Sequence, residues 1–160
     1  MTPPLFREAT PADAPALRAF EAANADWFAR WVPPRAADYL DPGALERELA
    51  SPGDRAFHLL VEDGRVLGRA NLLTLTDTSA FVGYRLAEAA TGRGLGHAAL
   101  AGLVAAARAR GLVQLFAECR TDNPASFRIL SAGGFHPDGL RREAQGPQGR
   151  VTLARLSRPL

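Results

Sequence analysis

The segment that most constrains this chain is a run of alternating glycines, Gly92, Gly94 and Gly96, directly before an alanine-rich apolar stretch that ends near Arg110. Glycine adopts backbone conformations that other residues avoid, and it lets main-chain N–H groups approach a ligand closely. The first amides of a helix have no partners within the helix and lie at its positive end. The sequence therefore predicts a helix N-terminus that binds a phosphate or pyrophosphate group.

Length and composition indicate one globular domain spanning residues 1–160. The chain is 47% hydrophobic and 22% charged, which is an ordinary balance for a soluble protein with a substantial core. No apolar run approaches the roughly 20 residues of a membrane span, and the N-terminus does not resemble a signal peptide. The single cysteine, Cys119, excludes an internal disulfide and favours a reducing compartment. We therefore expect a cytoplasmic protein without a membrane partner.

The charge and the histidines argue against two further classes of protein. A net charge of +2 is too small to indicate nucleic-acid binding, but it suits an anionic small molecule. The three histidines, His58, His97 and His136, lack the spacing of metal ligands. We therefore expect neither a nucleic-acid partner nor a metal.

Hydrophobic periodicity and turn residues predict strands and helices in mixed order. The predicted strands are Leu5–Ala9, Ala56–Val61, Arg65–Leu73, Ala80–Leu86, Val113–Cys119, Phe135–Arg142 and Val151–Leu156. The predicted helices are one that follows Thr10, bends at Asn24 and ends before Pro33, then Ala44–Leu49, 94–110 and Pro124–Ala132. Asp63-Gly64, between two apolar runs, predicts a hairpin. The fold class is an α/β domain with a mixed sheet that is antiparallel at first.

Two other phosphate-binding motifs compete for the glycine turn. Gly94–Ala99 formally matches the dinucleotide fingerprint G-x-G-x-x-A, and Glu118 follows at about the distance of a ribose-binding acid. That fingerprint should begin a series of βαβ units, whereas here an antiparallel region precedes it and a single βα unit follows. A Walker A loop is excluded because the chain has no lysine.

The element order and three segments together resemble the GNAT N-acetyltransferases. Strand Phe81–Leu86 followed by Thr91–Gly96 is similar to the family's acetyl-CoA-binding segment, written Q/R-x-x-G-x-G/A. Thr121–Leu130, continuing to Gly134-Phe135, looks like the downstream N-x-x-S…G-F segment of the RimJ/RimL-type branch. Arg30–Pro34 resembles the helical region on the substrate side of that branch. The resemblance implies a sheet of about seven strands with a splayed β4/β5 pair and four helices.

The resemblance also implies a set of acetyl-CoA contacts. Amides from Arg93 to His97 would surround the pyrophosphate, and main-chain groups of Leu86 and Ala87 would pair with the pantetheine arm, which Asn123 would also bind. Asn123 has an alternative role as the N-cap of the last helix. The residues predicted to bind the cofactor are Leu86, Ala87, Thr91, Gly92, Arg93, Gly94, Leu95, Gly96, His97, Asn123, Ser126, Phe127 and Arg128.

The catalytic residues follow from the same resemblance. The Leu86 amide would stabilise the thioester oxygen. Leu130 stands where many family members carry a tyrosine general acid, so Ser126 becomes the candidate proton donor to the departing thiolate. The titratable candidates for a base are Tyr84, Glu118 and Asp77, while Trp27 and Trp31 are candidates to line the acceptor site.

We therefore predict an enzyme that transfers an acetyl group from acetyl-CoA to a primary amine, as a monomer or a homodimer. Because no strong base is evident, we expect an acceptor whose amine has a low pKa, such as a peptide N-terminus or a small amino compound. The alternatives are a non-catalytic domain that binds or senses acyl-CoA and a dinucleotide-dependent oxidoreductase.

Overall fold

A computed structural model describes residues 3–160 as seven strands, five α-helices and two short 3-10 turns. The strands are β1 Leu5–Glu8, β2 Ala56–Glu62, β3 Arg65–Leu73, β4 Ser79–Leu86, β5 Gln114–Arg120, β6 His136–Gly146 and β7 Gly149–Pro159. The helices are α1 Ala14–Ala23, α2 Ala25–Phe28, α3 Ala44–Ala50, α4 Leu95–Ala109 and α5 Pro124–Ala132. None of the helices in this range is long and apolar enough to cross a membrane.

All seven strands form one sheet in the order β1-β2-β3-β4-β5-β7-β6. Every neighbouring pair is antiparallel except β4–β5, which is parallel. The mixed α/β fold with seven strands is thus confirmed, and the doubly wound dinucleotide-binding fold is wrong for this chain. The helix count exceeds the expected four because the predicted bend at Asn24 separates α1 from α2.

The sheet is forked between β4 and β5. Their register begins at Ser79 and Gln114 and ends at Val82 and Ala117. Beyond that point β4 continues to pair with β3 as far as Leu86, while β5 continues to pair with β7. The last four residues of β4 therefore pair with β3 on one side only. On the other side, where β5 has separated, they face an open slot. We refer to this slot, between residues 83–86 and 118–120, as the fork.

Two apolar clusters cover opposite faces of the sheet. On one face, α4 packs through residues such as Leu100 and Leu103 against β3 and β4. On the other face, α1 and α3 pack through Leu17 and Leu45 against β2. In β4, alternate side chains belong to the α4 face, including Val82 and Tyr84. The neighbouring side chains of β4 consequently point toward α1, since side chains alternate along a strand.

The ends of the helices and strands differ from the predicted ones mainly in two places. Trp31 lies in turns after α2 and outside any helix, because Val32 precedes a proline and Pro33-Pro34 cannot donate main-chain hydrogen bonds. The final hairpin is longer than expected at both strands, since β6–β7 pairing runs to Gly146 and Gly149. The Asp63-Gly64 turn is confirmed, with φ of 49° and 75°.

The predicted start of the first helical segment is also confirmed, and it carries a testable consequence. Asp13 accepts the Thr10 amide at 2.7 Å and pairs with Arg7 at 2.6 Å. The Arg7 guanidinium lowers the pKa of Asp13 to about 2, with the Thr10 amide adding to the effect. Asp13→Asn should lower the free energy of unfolding by about 1 kcal/mol at pH 7, as measured by urea denaturation.

The same interaction sets a pH dependence. A carboxyl group whose pKa is lowered on folding contributes stability that is present above its unfolded pKa and is lost as the pH falls toward 2. The difference between wild type and Asp13→Asn should therefore narrow between pH 4 and pH 2. A difference that stays constant over this range would show that the charge of Asp13 is not what stabilises the turn.

Candidate active site

The start of α4 is a helix N-terminus that no side chain caps. Gly94 precedes the helix with φ of 75°, and Gly92 has φ of 73°. A Cβ atom at either position would meet nothing within 4 Å. Within residues 3–160, the main-chain N–H groups of residues 93–96 have no hydrogen-bond acceptor, whereas the N–H of His97 donates to the Gly94 carbonyl at 3.1 Å. Four of the five predicted amides thus remain available at the positive end of a fifteen-residue helix.

Gly96 has a different role, in helix packing. A Cβ atom there would lie 2.7 Å from Cδ1 of Ile129, so the missing side chain lets α4 pack closely on α5. The residue is buried. The glycine run therefore combines two left-handed positions that shape the turn with one packing position.

The side chains of the turn are held by the protein itself. The Thr91 hydroxyl donates to the Glu88 carbonyl at 2.7 Å and closes the preceding 3-10 turn. Arg93 is largely solvated and contacts Glu62, at the end of β2, at 2.7 Å. An anion at the turn would therefore compete with Glu62 for the Arg93 guanidinium.

At the fork, the main chain of β4 alternates between two neighbours. The Ala87 N–H donates to the Leu67 carbonyl of β3 at 2.9 Å. Because hydrogen-bonding directions alternate along an antiparallel strand, Leu86 directs its N–H and its carbonyl away from β3 and toward the fork. The Leu86 carbonyl accepts the indole N–H of Trp27 at 3.2 Å. Leu86 thus presents its main-chain groups to the fork, whereas the amide of Ala87 faces β3 and not the fork.

Three polar side chains meet across the fork. The Tyr84 hydroxyl lies 3.5 Å from the Ser126 hydroxyl of α5, and Cys119 of β5 is close to both. Burial raises the pKa of Tyr84, with the Ser126 hydrogen bond opposing it in part. Burial also raises the pKa of the Cys119 thiol. At neutral pH these groups are therefore a phenol, an alcohol and a thiol, which makes Tyr84 a proton donor and unsuited to the role of base.

The beginning of α5 is capped from within. The Asn123 side chain accepts the Ser126 amide at 3.2 Å, as the alternative N-cap reading proposed. Its amide nitrogen can still donate a hydrogen bond. Phe127 and Arg128 are exposed on the next turn. Ser126, next to Tyr84, and Asn123, which binds the Ser126 amide, thus lie on the α5 side of the fork.

The predicted carboxylate bases do not lie free at the fork. Glu118 binds Arg142 of β6, with Nε at 2.7 Å from Oε1. Asp77 precedes β4, so it lies at the opposite end of an eight-residue strand, roughly 25 Å from the fork. Among residues 3–160 no group of three His, Cys, Asp or Glu side chains could hold a metal ion.

Helix α2 and the turn after it connect the two arms of the fork. The Trp27 indole donates a hydrogen bond to the Leu86 carbonyl of β4, and the Asn24 side chain accepts one from the Glu88 amide at 3.0 Å. On the other arm, Arg120 of β5 donates to the Trp31 carbonyl at 3.3 Å and lies over its indole ring. Both tryptophans predicted to line the acceptor site are therefore beside the fork.

A buried charged cluster on the α1 face was not predicted from the sequence. Glu21 of α1 is 4% exposed and contacts Arg35 at 3.0 Å, Arg85 at 3.1 Å and Arg69 at 3.6 Å. Arg69 also binds Glu48 of α3 at 3.0 Å. The signal that could have revealed it is an arginine in each of two apolar strands, at the centre of β3 and next to the last residue of β4, because a charge there requires a buried partner.

A mixed sheet forked between parallel strands, with an uncapped helix start beside the fork, defines an acyltransferase type of fold. A family model described as an acetyltransferase (GNAT) domain matches residues 5–136. The match spans most of the chain, so the protein belongs to the GNAT acetyltransferase family. No curated protein matches the sequence.

Solved structures share the fold over almost the whole chain. A ribosomal-protein-S5-alanine acetyltransferase from Vibrio fischeri has a TM-score of 0.89 at 18% identity, covering 99% of this chain and 94% of the other. A ribosomal-protein-alanine N-acetyltransferase from Brucella melitensis has a TM-score of 0.79 at 26% identity, covering 98% and 99%. RimL, a ribosomal L7/L12 α-N-protein acetyltransferase in complex with coenzyme A, has a TM-score of 0.82 at 20% identity, covering 100% and 96%.

Proposed function

We propose that this protein transfers the acetyl group of acetyl-CoA to a primary amine, by direct attack of the amine on the thioester. The observation that carries the proposal is the row of unpartnered amides at residues 93–96, beside a fork whose β4 arm presents the Leu86 N–H. The coenzyme A bound to the similar RimL structure supports the choice of donor.

The residues at the start of α4 and at the fork fit the pyrophosphate and the pantetheine arm of acetyl-CoA, respectively. The amides at the start of α4 and the Arg93 guanidinium supply hydrogen-bond donors and positive charge for a pyrophosphate. The fork offers the unpaired edge of β4 to an extended pantetheine arm, in the manner of an added strand. Asn123, whose amide nitrogen can still donate a hydrogen bond, would bind that arm from the start of α5.

The reaction forms a bond between the amine nitrogen and the acetyl carbonyl carbon and breaks the carbon–sulfur bond. The Leu86 N–H is the donor for the negative charge that develops on the carbonyl oxygen. The departing thiolate takes a proton from the Tyr84–Ser126 pair, and the nitrogen loses one proton to water. Water then returns a proton to the pair, which restores the enzyme. The products are an amide and a free thiol.

The acceptor must reach the site as a neutral amine, because neither predicted carboxylate base lies free at the fork. A lysine side chain has a pKa of about 10.4, whereas an α-amine titrates near 7.7–8.0 and is partly neutral at physiological pH. Positioning alone contributes roughly 7–11 kcal/mol to a reaction between two bound groups. We therefore propose a peptide N-terminal α-amine or a small amino compound as the acceptor. The ribosomal-protein acetyltransferases among the similar structures support this class.

The test is release of free thiol from acetyl-CoA in the presence of a panel of small amines and N-terminal peptides, with calorimetry of coenzyme A binding alongside. We expect binding and thiol release that depends on the amine. Binding with no release for any amine would instead support a non-catalytic acyl-CoA sensor. Binding of NADH in place of coenzyme A would overturn both the acetyltransferase and the acyl-CoA sensor.

Removal of the proposed proton donors should slow turnover without weakening the binding of acetyl-CoA. We expect Tyr84→Phe and Ser126→Ala each to lower kcat by about 10- to 100-fold, because general acid catalysis typically contributes about 10²–10⁴-fold and the two hydroxyls partly replace each other. Coenzyme A affinity should change by less than about threefold. Unchanged kcat in the double variant would show that water protonates the thiolate.

A further inference from the structure

The α1 face of the fork contains a cavity of about 290 Å³, here called the arginine pocket. Its walls come from α1, α2 and the segment that follows them, with Phe28, Val32 and Leu40 among the apolar residues. Three charged residues complete the lining, namely Glu21, Arg35 and Arg85. The volume is at the small end of the range for ligand sites, which suits a molecule the size of an amino acid.

The charges in and beneath the arginine pocket do not balance. Glu21 shares its carboxylate among Arg35, Arg69 and Arg85, and Glu48 binds Arg69 and Arg55. Four guanidinium groups therefore share two carboxylates, which leaves two positive charges in excess. Burial first, and then repulsion by Arg35, lowers the pKa of Arg85, which is consistent with this excess.

The two arginines that line the arginine pocket have hydrogen-bonding capacity left. Arg35 and Arg85 each make a single ion pair, with Glu21, among the described residues. Their side chains are 34% and 22% exposed, whereas Arg69 beneath them is 1% exposed. A guanidinium carries five N–H donors, so each can bind a further anion without leaving Glu21.

The arginine pocket and the fork share one residue of β4. Arg85 lies in the unpaired section of β4, between Tyr84 and Leu86. Side chains alternate along the strand, so Arg85 points to the α1 face while Tyr84 points to the α4 face. An acceptor in this pocket would therefore approach the fork from the face opposite the Tyr84–Ser126 pair.

We propose that the acceptor amine also carries a carboxylate, which Arg35 and Arg85 bind in the arginine pocket. This inference rests on the proposed acetyltransferase function and specifies its acceptor class as small amino acids. Planar guanidinium groups bind a carboxylate through paired hydrogen bonds and so fix its orientation. The amine of a free amino acid has a higher pKa than a peptide N-terminus, because its own carboxylate stabilises the ammonium form. Pairing of that carboxylate with two guanidinium groups, and the excess of positive charge around it, would lower the pKa of the bound amine and so favour its neutral form.

The experiment compares free α-amino acids with their matched α-amides in the thiol-release assay, with kcat/KM expressed per neutral amine. A charged hydrogen bond contributes about 1.5–3 kcal/mol, so we expect the preferred amino acid to exceed its amide by about 10- to 150-fold. The acetylated product, identified by mass spectrometry, should be the N-acetyl amino acid.

Variants separate the binding of the carboxylate from a structural role. Arg85→Gln and, independently, Arg35→Gln should raise KM for the amino acid by about tenfold or more, with little change in kcat or in activity toward the matched amide. Arg85→Lys should restore part of the affinity, because it keeps the charge but not the paired geometry. Arg108→Gln, an exposed arginine in the last turn of α4, is the matched control and should leave both substrates unchanged.

The outcomes distinguish this inference from the proposed function. Thiol release with equal use of acids and amides, unaffected by Arg35→Gln, would overturn the carboxylate-bearing acceptor and leave the acetyltransferase function standing. If no amine releases thiol, the function fails, and calorimetry with the N-acetyl amino acids tests the arginine pocket alone. Binding that Arg35→Gln removes would support the carboxylate site, and absence of binding would overturn it.

Discussion

Gly94→Val is expected to weaken coenzyme A binding by at least about 100-fold. Gly94 has φ of 75°, a left-handed conformation that costs a β-branched residue about 1–3 kcal/mol. Relief of that strain rotates the peptide units on either side of Gly94, and these units carry the amides of residues 94 and 95. Loss of two charge-assisted hydrogen bonds, at about 1.5–3 kcal/mol each, accounts for the expected factor. Isothermal titration with coenzyme A measures it.

Gly111 provides the matched control for this substitution. It has φ of 76° and, as at Gly94, a Cβ atom there would meet nothing within 4 Å. It follows the opposite end of α4, so Gly111→Val should produce similar strain and a similar loss of stability while coenzyme A affinity stays unchanged. If Gly94→Val bound coenzyme A as well as Gly111→Val does, the start of α4 would not be the phosphate site.

The parts of the site that could be predicted from the sequence are those that local rules determine. The glycine turn, the start of α4, and the helix that follows Asn123 depend on backbone conformation and capping within a few residues. The bounds of β3 and α5 agree with the prediction for the same reason. The fork itself came from family resemblance, because strand separation depends on partners far apart in the chain.

The charged cluster and the long final hairpin could not be predicted in the same way. Arg69, Arg85 and Glu21 come from three separate elements, and only the packing of α1 on the sheet brings them together. The solvated strand β6 extends to Gly146 although its residues are almost all exposed, so an apolar pattern is missing there. Burial of charge and pairing of exposed strands are tertiary properties.

Glu21→Ala is expected to lower the free energy of unfolding by about 3–5 kcal/mol, because removal of one partner from a buried ion pair leaves uncompensated charge. Three guanidinium groups contact this one carboxylate, which is 4% exposed. The loss is a large share of the roughly 5–15 kcal/mol that stabilises a domain. Urea denaturation followed by circular dichroism measures it.

Two further variants test whether charge is the cause. Glu46 pairs with Arg18 at 2.9 Å in a partly exposed position, so Glu46→Ala should lower the free energy of unfolding far less than Glu21→Ala does. Arg69 is fully buried, so its charge depends on a neighbouring carboxylate more than the charges of Arg35 and Arg85 do. Replacement of Arg69 by methionine removes that charge. Glu21→Ala combined with Arg69→Met should therefore cost less than the sum of the two single variants. If the losses of the two single variants simply added up in the double variant, Glu21 would stabilise α1 through packing. The charges of the arginines beneath the pocket would then be neutralised without Glu21.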